Sequence, residues 1–230
     1  MIKCDNLVLG YNNQAITTKI NLMIPDNKWI GIIGKNGTGK STFLKSILGN
    51  IPILEGQLQI FGAKVGSYNK YISYIPQERE INLTDKMNGF SLIESSYEGW
   101  RLGIPFVNSK VRKRVAELIE LVGATDYAMR PFCTLSGGQK KRIYLAQALI
   151  NQPKLILLDE PLADLDPHAK QHFIQALQKI HQTQHLGLLI ISHDMHEIAE
   201  HLDSFLHFTN NKVHYCETIE CVREDSYVGI

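Results

Sequence analysis

The feature that most constrains the fold is a glycine-rich segment at residues 34–42, Gly-Lys-Asn-Gly-Thr-Gly-Lys-Ser-Thr. Two glycines bracket four residues, and Lys and Ser follow, which is the pattern of a phosphate-binding loop. A short apolar run at residues 29–33 precedes the segment, and apolar residues at helical spacing follow it at positions 43, 44, 47 and 48. A loop of this kind between a buried strand and a helix predicts an α/β domain that binds a nucleotide through its phosphates.

Glycines in this loop allow successive backbone N–H groups to turn toward phosphate oxygens, and the start of the following helix adds a positive partial charge. Lys40 is expected to reach the β- and γ-phosphates, and the Ser41 hydroxyl is expected to ligate Mg²⁺. The loop residues that we expect at the nucleotide are Gly34, Asn36, Gly37, Thr38, Gly39, Lys40, Ser41 and Thr42.

Length, charge and cysteine spacing limit the number of domains and the kinds of partner and compartment that we expect. The 230 residues suit one large α/β domain with or without a smaller subdomain, and the net charge of +1 with 20% charged residues indicates no nucleic-acid partner. Cysteines at 4, 133, 216 and 221 lack metal-ligand spacing and are typical of reduced thiols in a cytosol. We find no secretory signal in residues 1–10 and no apolar run near the ~18 residues that cross a bilayer, so we expect any membrane association to come through a partner.

Strand and helix patterns alternate along most of the chain, which favours a mostly parallel sheet. Residues 2–9 and 16–24 are predicted as antiparallel strands with Tyr11 in the loop between them, and residues 206–215 as a hairpin. Further strands are predicted at 56–62, 72–75, 155–158 and 188–191, and helices at 92–100, 110–122, 137–150 and from Pro167 onward. We expect one domain over residues 1–230, with a helical insert at about 85–150.

A pentapeptide distinguishes among the classes of protein that contain a phosphate-binding loop (P-loop). Leu135-Ser136-Gly137-Gly138-Gln139 precedes a predicted helix, and with the P-loop it gives a chain that resembles the ATP-binding cassette (ABC) family. The resemblance covers nearly the whole length, because further family motifs follow in the expected order. It implies a P-loop NTPase core with a mostly parallel sheet, an N-terminal antiparallel β subdomain and a helical subdomain that carries the pentapeptide, here called the signature motif.

The resemblance also implies roles for six residues outside the P-loop and the signature motif. The adenine-stacking aromatic is Tyr11, the Q-loop residue at Mg²⁺ and the attacking water is Gln77, the Walker B carboxylate for Mg²⁺ is Asp159, the catalytic base is Glu160, the D-loop aspartate is Asp166 and the switch histidine at the γ-phosphate is His193. One departure stands out, since the family often has Ser-Ala-Leu-Asp where this chain has Ala163-Asp164-Leu165-Asp166. The D-loop therefore carries an extra acid.

The signature motif has the chemistry of a second phosphate site. Ser136 offers a hydroxyl, Gly137 and Gly138 expose backbone N–H groups, and the helix that includes Gln139 adds its dipole. In the family this second site closes on ATP bound to another subunit. The resemblance therefore implies a homodimer held together by two ATP molecules, with ATP and Mg²⁺ as cofactors.

The resemblance favours the ATPase subunit of a membrane importer, bound through permease subunits to the cytoplasmic face of the membrane, with an extracytoplasmic solute-binding protein in the full system. Residues 31–62 and 130–149 look like those of the branch that imports zinc or manganese. Another small solute is the alternative cargo. A soluble ABC ATPase, such as one for iron–sulfur assembly, is the alternative, whereas a P-loop kinase or GTPase leaves the signature motif unexplained.

A groove for a permease helix is expected to be bordered by Gln77, Phe90, Tyr97 and Trp100. All nine histidines lie between residues 168 and 214, and the pairs His168/His172 and His181/His185, at helical i, i+4 spacing, are interpreted as solvated helix-surface residues rather than metal ligands.

Overall fold

The computed structural model describes residues 1–77, 87–97, 109–192, 195–209 and 212–218. Within these residues the chain forms two sheets and five α-helices. The helices are α1 (Lys40–Ile47), α2 (Gly89–Ser95), α3 (Ser109–Leu121), α4 (Gly137–Leu149) and α5 (Pro167–Gln184). None of the helices in this part of the chain combines the length and the apolarity that a membrane span requires.

The smaller sheet is antiparallel and is built from the N-terminal part of the chain. Its strands are β1 (Ile2–Tyr11), β2 (Gln14–Ala15), β3 (Ile20–Ile24), β5 (Ile53–Ile60) and β6 (Ala63–Lys64). Strand β1 pairs with β2, β3 and β5. This sheet confirms the predicted N-terminal antiparallel subdomain.

The larger sheet has six strands in the order β11-β10-β4-β9-β8-β7. Their bounds are β4 (Trp29–Gly34), β7 (Ile72–Ile75), β8 (Leu155–Asp159), β9 (Gly187–Ile191), β10 (Ser204–Phe208) and β11 (Val213–Cys216). All neighbours are parallel except β10 and β11, which pair as an antiparallel hairpin. The mostly parallel sheet and the hairpin are therefore as predicted, although the predicted turn at 210–211 lies outside the described residues.

The parallel strands are apolar throughout because both faces of the sheet are covered. In β8, Ile156 and Leu158 pack in the core that includes helices α2–α5, whereas Leu155 and Leu157 pack in a second core with α1 and the antiparallel sheet. All five residues of β8 are buried. A strand between two apolar layers needs no polar face, which explains the unbroken apolar run in the sequence.

Three predicted positions in the antiparallel sheet were wrong. Tyr11 is the last residue of β1, paired with Gln14, and does not lie in the loop. Strand β3 begins at Ile20 and not at residue 16. Strand β5 begins at Ile53, and Gly56, taken as its start, lies inside it with φ 77° where the register of β1 and β5 shifts. A Cβ on Gly56 would lie 2.2 Å from the Asn6 carbonyl oxygen, so this glycine marks a close strand approach and not a strand end.

Candidate nucleotide-binding site

The carboxyl ends of four parallel strands lie at one edge of the large sheet. Strand β4 leads into the P-loop, β7 into Gln77, β8 into Asp159 and Glu160, and β9 into Ser192. The register aligns these ends, because Asp159 pairs with Ile191, and Ile191 with Ile32. In open α/β sheets, ligands bind beyond such an edge.

The P-loop wraps around the ammonium group of Lys40. Its Nζ donates to the carbonyl oxygens of Gly34 at 2.7 Å and of Lys35 at 2.9 Å, and the residue is only 8% exposed. Burial lowers the pKa of Lys40, while Glu160 and Asp159 act in the opposite direction. The cation is thus held in the loop beside two carboxylates.

Glycines shape the loop where a Cβ would not fit. Gly34 has φ 147°, and a Cβ there would lie 2.2 Å from the carbonyl oxygen of Phe208. Gly39 has φ 98° as the N-cap of α1, and a Cβ there would lie 2.9 Å from Thr17 Cγ2 and 3.3 Å from Ile16 Cγ2. The hairpin that carries Tyr11 therefore leads directly to the side of the P-loop.

Tyr11, the predicted adenine platform, is 41% exposed at the end of β1. The chain returns from the β1–β2 turn to Ile16 and Thr17, whose N–H groups both donate to the Leu9 carbonyl oxygen. An exposed aromatic ring on a hairpin that leads to the phosphate loop is suited to stacking on a base.

Asp159 is engaged through both carboxylate oxygens. Ser41 Oγ donates to Oδ1 at 3.2 Å, and the Tyr74 hydroxyl donates to Oδ2 at 3.1 Å. Burial, followed by the charge of Asp159 and this hydrogen bond, raises the pKa of Tyr74, so the phenol keeps its proton. Sequence reasoning brought Ser41 and Asp159 together but missed Tyr74, although its position on the strand before Gln77 was visible.

Glu160 is the residue at which the chain leaves β8. It is 7% exposed and has a left-handed backbone with φ 51°, and its N–H donates to the Ile191 carbonyl oxygen at 2.9 Å. This hydrogen bond ties the predicted catalytic base to the end of β9. Gln77 is exposed two residues beyond β7, whereas His193 lies outside the described residues, as does Trp100 of the expected permease groove.

The signature motif forms the N-terminus of α4. Ser136 caps the helix, with Oγ accepting from Gln139 N at 3.3 Å, while Gln139 Oε1 accepts from Ser136 N at 3.0 Å. This reciprocal pair is a capping box. Ser136 and Gly137 are exposed, and among the described residues no atom beyond the flanking residues and the backbone of α4 lies within 4 Å of a Cβ built on Gly137. Gly138 is buried, and a Cβ there would lie 2.8 Å from Ala169 Cβ.

The segment between β8 and α5 carries the D-loop. Asp166 is the N-cap of α5, with Oδ1 accepting from Ala169 N at 2.9 Å, so this residue has a structural task within the subunit. Asp164 is exposed and has φ 60°. Lys141 of α4 donates to the Ala163 carbonyl oxygen, a contact that sequence reasoning missed.

This fold and this site define a P-loop ATPase with a phosphate loop at the sheet edge and an exposed signature motif at the start of a separate helix. Residues 17–163 match the ABC transporter family, and the chain belongs to that family.

The chain is similar to transport proteins over most of its length. It is 32% identical over 208 residues to the zinc transport system ATP-binding protein TroB of Treponema pallidum (strain Nichols), covering 89% of this chain and 77% of that protein. It is 30% identical over 206 residues to the manganese transport system ATP-binding protein MntB of Bacillus subtilis (strain 168), covering 89% and 82%. Among solved structures, cbiO1 from Clostridium perfringens, part of the ABC transporter complex cbiONQ, superposes with a TM-score of 0.85 at 23% identity, covering 97% of this chain and 91% of that chain, which supports the fold.

These findings confirm the predicted fold and the predicted family. The protein is an ATP-binding ATPase of the ABC transporter family, and its relatives favour a transport subunit over a soluble ATPase.

Proposed function

We propose that this protein powers a membrane importer of zinc, manganese or a related metal ion, as an ATP-dependent homodimer bound to permease subunits at the cytoplasmic face of the membrane. Residues 1–230 would act as one nucleotide-binding domain, and an extracytoplasmic solute-binding protein would deliver the cargo. The similarity to TroB of a zinc transport system and to MntB of a manganese transport system supports the metal cargo.

The main support for a dimer is a second candidate phosphate site, at the signature motif. Each subunit has one P-loop, whose Lys40 cation is already enclosed, and a separate exposed helix start at Ser136 and Gly137. A helix N-terminus with open glycine N–H groups favours an anion. Because the P-loop accounts for the phosphates of the subunit's own nucleotide, the signature motif is available for the γ-phosphate of a partner's ATP.

The residues present fit Mg²⁺, since hydroxyl, carboxylate and amide oxygens are the hard ligands that it prefers. Ser41, Asp159 and Gln77 would hold it, directly or through water, and Tyr74 would keep Asp159 in place. The ion would supply positive charge at the β- and γ-phosphates.

Hydrolysis would use groups that the fold brings to the sheet edge. Lys40 would exchange the carbonyl oxygens of Gly34 and Lys35 for phosphate oxygens when ATP enters. Glu160 would accept a proton from the attacking water, which Gln77 and His193 would help to orient beside the γ-phosphate. Loss of the γ-phosphate would remove the group shared by the two subunits, and the dimer would open.

The mechanism is tested with Glu160→Gln, which keeps the P-loop and Asp159 but removes the base. We expect normal ATP binding, at least a ~100-fold loss of turnover by analogy with the loss of a general base, and a stable dimer on addition of Mg-ATP. Sedimentation velocity measures the dimer. Two control variants separate the half-sites: Glu160→Gln with Ser136→Arg should bind ATP as a monomer, and Glu160→Gln with Lys40→Ala should lose ATP binding.

A monomeric Glu160→Gln variant at saturating Mg-ATP would refute the shared-site mechanism. So would ATP-dependent dimerisation that persists after Ser136→Arg.

The transport role is tested by gentle-detergent purification of the protein from native membranes, followed by uptake of labelled zinc and manganese in a strain that lacks it. We expect a multi-spanning permease to copurify and metal uptake to fall, and Lys40→Ala should not restore uptake. The exposure of Tyr97 supports its role in the proposed permease contact, so Tyr97→Glu should reduce copurification without changing ATP binding. Recovery of a soluble assembly complex would favour the alternative function, and unchanged metal uptake with a copurified permease would exclude metal as the cargo.

A further inference from the structure

We propose that Lys141 is a positioning residue that ties helix α4, which begins at the signature motif, to the loop between Glu160 and Asp166 of the same subunit. The inference rests on the proposed shared-site mechanism. It also gives a task to Asp164, the acid by which this chain departs from the usual D-loop.

The contact joins two functional segments that are far apart in sequence. Lys141 lies five residues after Ser136 on α4, and its half-buried side chain reaches across to donate from Nζ to the Ala163 carbonyl oxygen. Burial lowers the pKa of Lys141, while the charges of Asp164 and Glu160 act to raise it. The ammonium group of Lys141 therefore interacts electrostatically with both Glu160, the predicted base, and Asp164, the extra acid.

The conformation of the loop explains what this hydrogen bond can do. Leu165 N donates to the Leu162 carbonyl oxygen at 3.4 Å, and the third residue of this turn, Asp164, has φ 60°. A positive φ at that position is the mark of a type II turn, which glycine or asparagine normally occupies. A type I turn would place the same residue at negative φ by rotating the peptide plane between the second and third residues.

Lys141 holds the oxygen of that rotating peptide. The plane between Ala163 and Asp164 differs between the two turn types, and a hydrogen bond from a fixed helix to the Ala163 oxygen selects one orientation. Aspartate tolerates the left-handed region better than most residues but does not prefer it. The negative charge of Asp164 attracts the ammonium group of Lys141, which holds the Ala163 oxygen.

The turn is connected to the catalytic base over a few residues. Ala163 N donates to the Glu160 carbonyl oxygen at 3.2 Å, and Glu160 itself has φ 51°. Backbone conformations of this kind persist only where surrounding contacts hold them. In the proposed dimer, α4 contacts the partner's ATP, whereas Glu160 faces the subunit's own ATP. Lys141 therefore provides a direct link between the two composite sites within one subunit.

The test compares Lys141→Met with Lys141→Arg in the full-length protein. Methionine keeps the length of the buried stem but cannot donate, so we expect kcat to fall about tenfold, because small displacements of catalytic groups cost one to two orders of magnitude. The affinity for a fluorescent ATP analogue should stay within about twofold, and the Hill coefficient for ATP should fall toward about one. Arginine can donate to the same oxygen and should restore most of kcat and of the Hill coefficient.

A second pair of variants distinguishes turn positioning from general packing. Glycine prefers the left-handed position without help, so Asp164→Gly combined with Lys141→Met should recover at least threefold of the lost kcat. Asp164→Val, which leaves Lys141 intact but disfavours φ 60°, should reproduce the Lys141→Met phenotype. If Lys141→Met does not fold, as judged by thermal unfolding, the Val variant and the Arg variant still decide the matter.

The outcomes separate this inference from the proposed function. If Glu160→Gln fails to dimerise with ATP, the shared-site mechanism fails first, and this inference falls with it. If that variant dimerises and the wild type is cooperative, but Lys141→Met keeps the wild-type kcat and Hill coefficient, Lys141 has no positioning role. Absence of rescue by Asp164→Gly, with both variants folded, would likewise overturn the role of the turn.

Discussion

Adjacent glycines of the signature motif should respond oppositely to the same substitution. In the described part of the chain, a Cβ on Gly137 meets no atom within 4 Å outside the backbone of α4 and the flanking residues, whereas a Cβ on Gly138 lies 2.8 Å from Ala169 Cβ, well inside the ~3.5–4.0 Å at which carbon atoms pack. Gly138→Ala must therefore push α4 away from α5. Overpacking of this kind costs about 1–3 kcal/mol, and the better helix propensity of alanine returns at most ~1 kcal/mol.

We therefore expect Gly138→Ala to lower the free energy of unfolding by about 1–2 kcal/mol, which is a fall in Tm of roughly 2–8 °C for a domain of this size. Gly137→Ala should leave the free energy of unfolding within ~0.5 kcal/mol of the wild type. It should nevertheless abolish most ATPase activity, because the new methyl group occupies the cradle proposed for the partner's phosphate. ATP binding to the isolated subunit should be unchanged.

Thermal and denaturant unfolding without nucleotide measure the stability, and steady-state ATPase assays measure the function. Ala169→Gly is the matched control, since it removes the atom that Gly138→Ala strikes. The double variant should be more stable than the sum of the single changes by about 1–3 kcal/mol. Equal destabilisation by the two glycine substitutions, or no coupling between positions 138 and 169, would refute the packing argument, and full ATPase activity of Gly137→Ala would refute the second cradle.

Two further predictions concern the buried thiol of Cys4 and the proposed Mg²⁺ site at Asp159. Burial raises the pKa of the Cys4 thiol to about 12 from 9.0, so the folded form keeps a proton that the unfolded form releases, and the stability from Cys4 is complete below pH 9 and lost as the pH rises toward 12. Denaturant unfolding between pH 8 and 10.5 should show a decline of up to about 1.4 kcal/mol per pH unit that Cys4→Ala removes, and an equal decline in both proteins would contradict the assignment. Tyr74→Phe removes the donor to Asp159 Oδ2, a charge-assisted hydrogen bond of about 1.5–3 kcal/mol, so it should lower the free energy of unfolding by about that amount and raise the free Mg²⁺ needed for half-maximal ATPase activity roughly tenfold. An unchanged Mg²⁺ midpoint would show that Tyr74 does not position Asp159.

Sequence reasoning succeeded where local patterns determine structure. The helix at Ser136 was predicted from its capping residue, and the structure shows the complete capping box with Gln139. Helix α5 begins at Pro167, as proline at a first helical position predicts. The buried run at residues 155–158 gave strand β8, and the carboxylates after it fall at the predicted edge of the sheet.

The errors fell where long-range pairing decides the local structure. Gly56 looked like a strand boundary, because glycine usually interrupts a strand, but its φ of 77° accommodates the Asn6 carbonyl oxygen of the neighbouring strand. Tyr11 was assigned to a loop, since the pairing of only two residues with β2 leaves no periodic signal. A single sequence does not show which residues of the neighbouring strand will face Gly56 or Tyr11.

The sequence by itself determined the phosphate loop, the signature motif, the alternation of strands and helices, and hence the family, because each of these depends on residues that are adjacent or a few positions apart. Only the tertiary structure decided that Tyr74 donates to Asp159, that Gly138 packs against Ala169, and that Lys141 reaches Ala163. Each of these contacts joins residues 22 to 85 positions apart. Such contacts exist because parallel strands bring distant carboxyl ends to one edge and helices pack across them, and no local pattern records which side chains then meet.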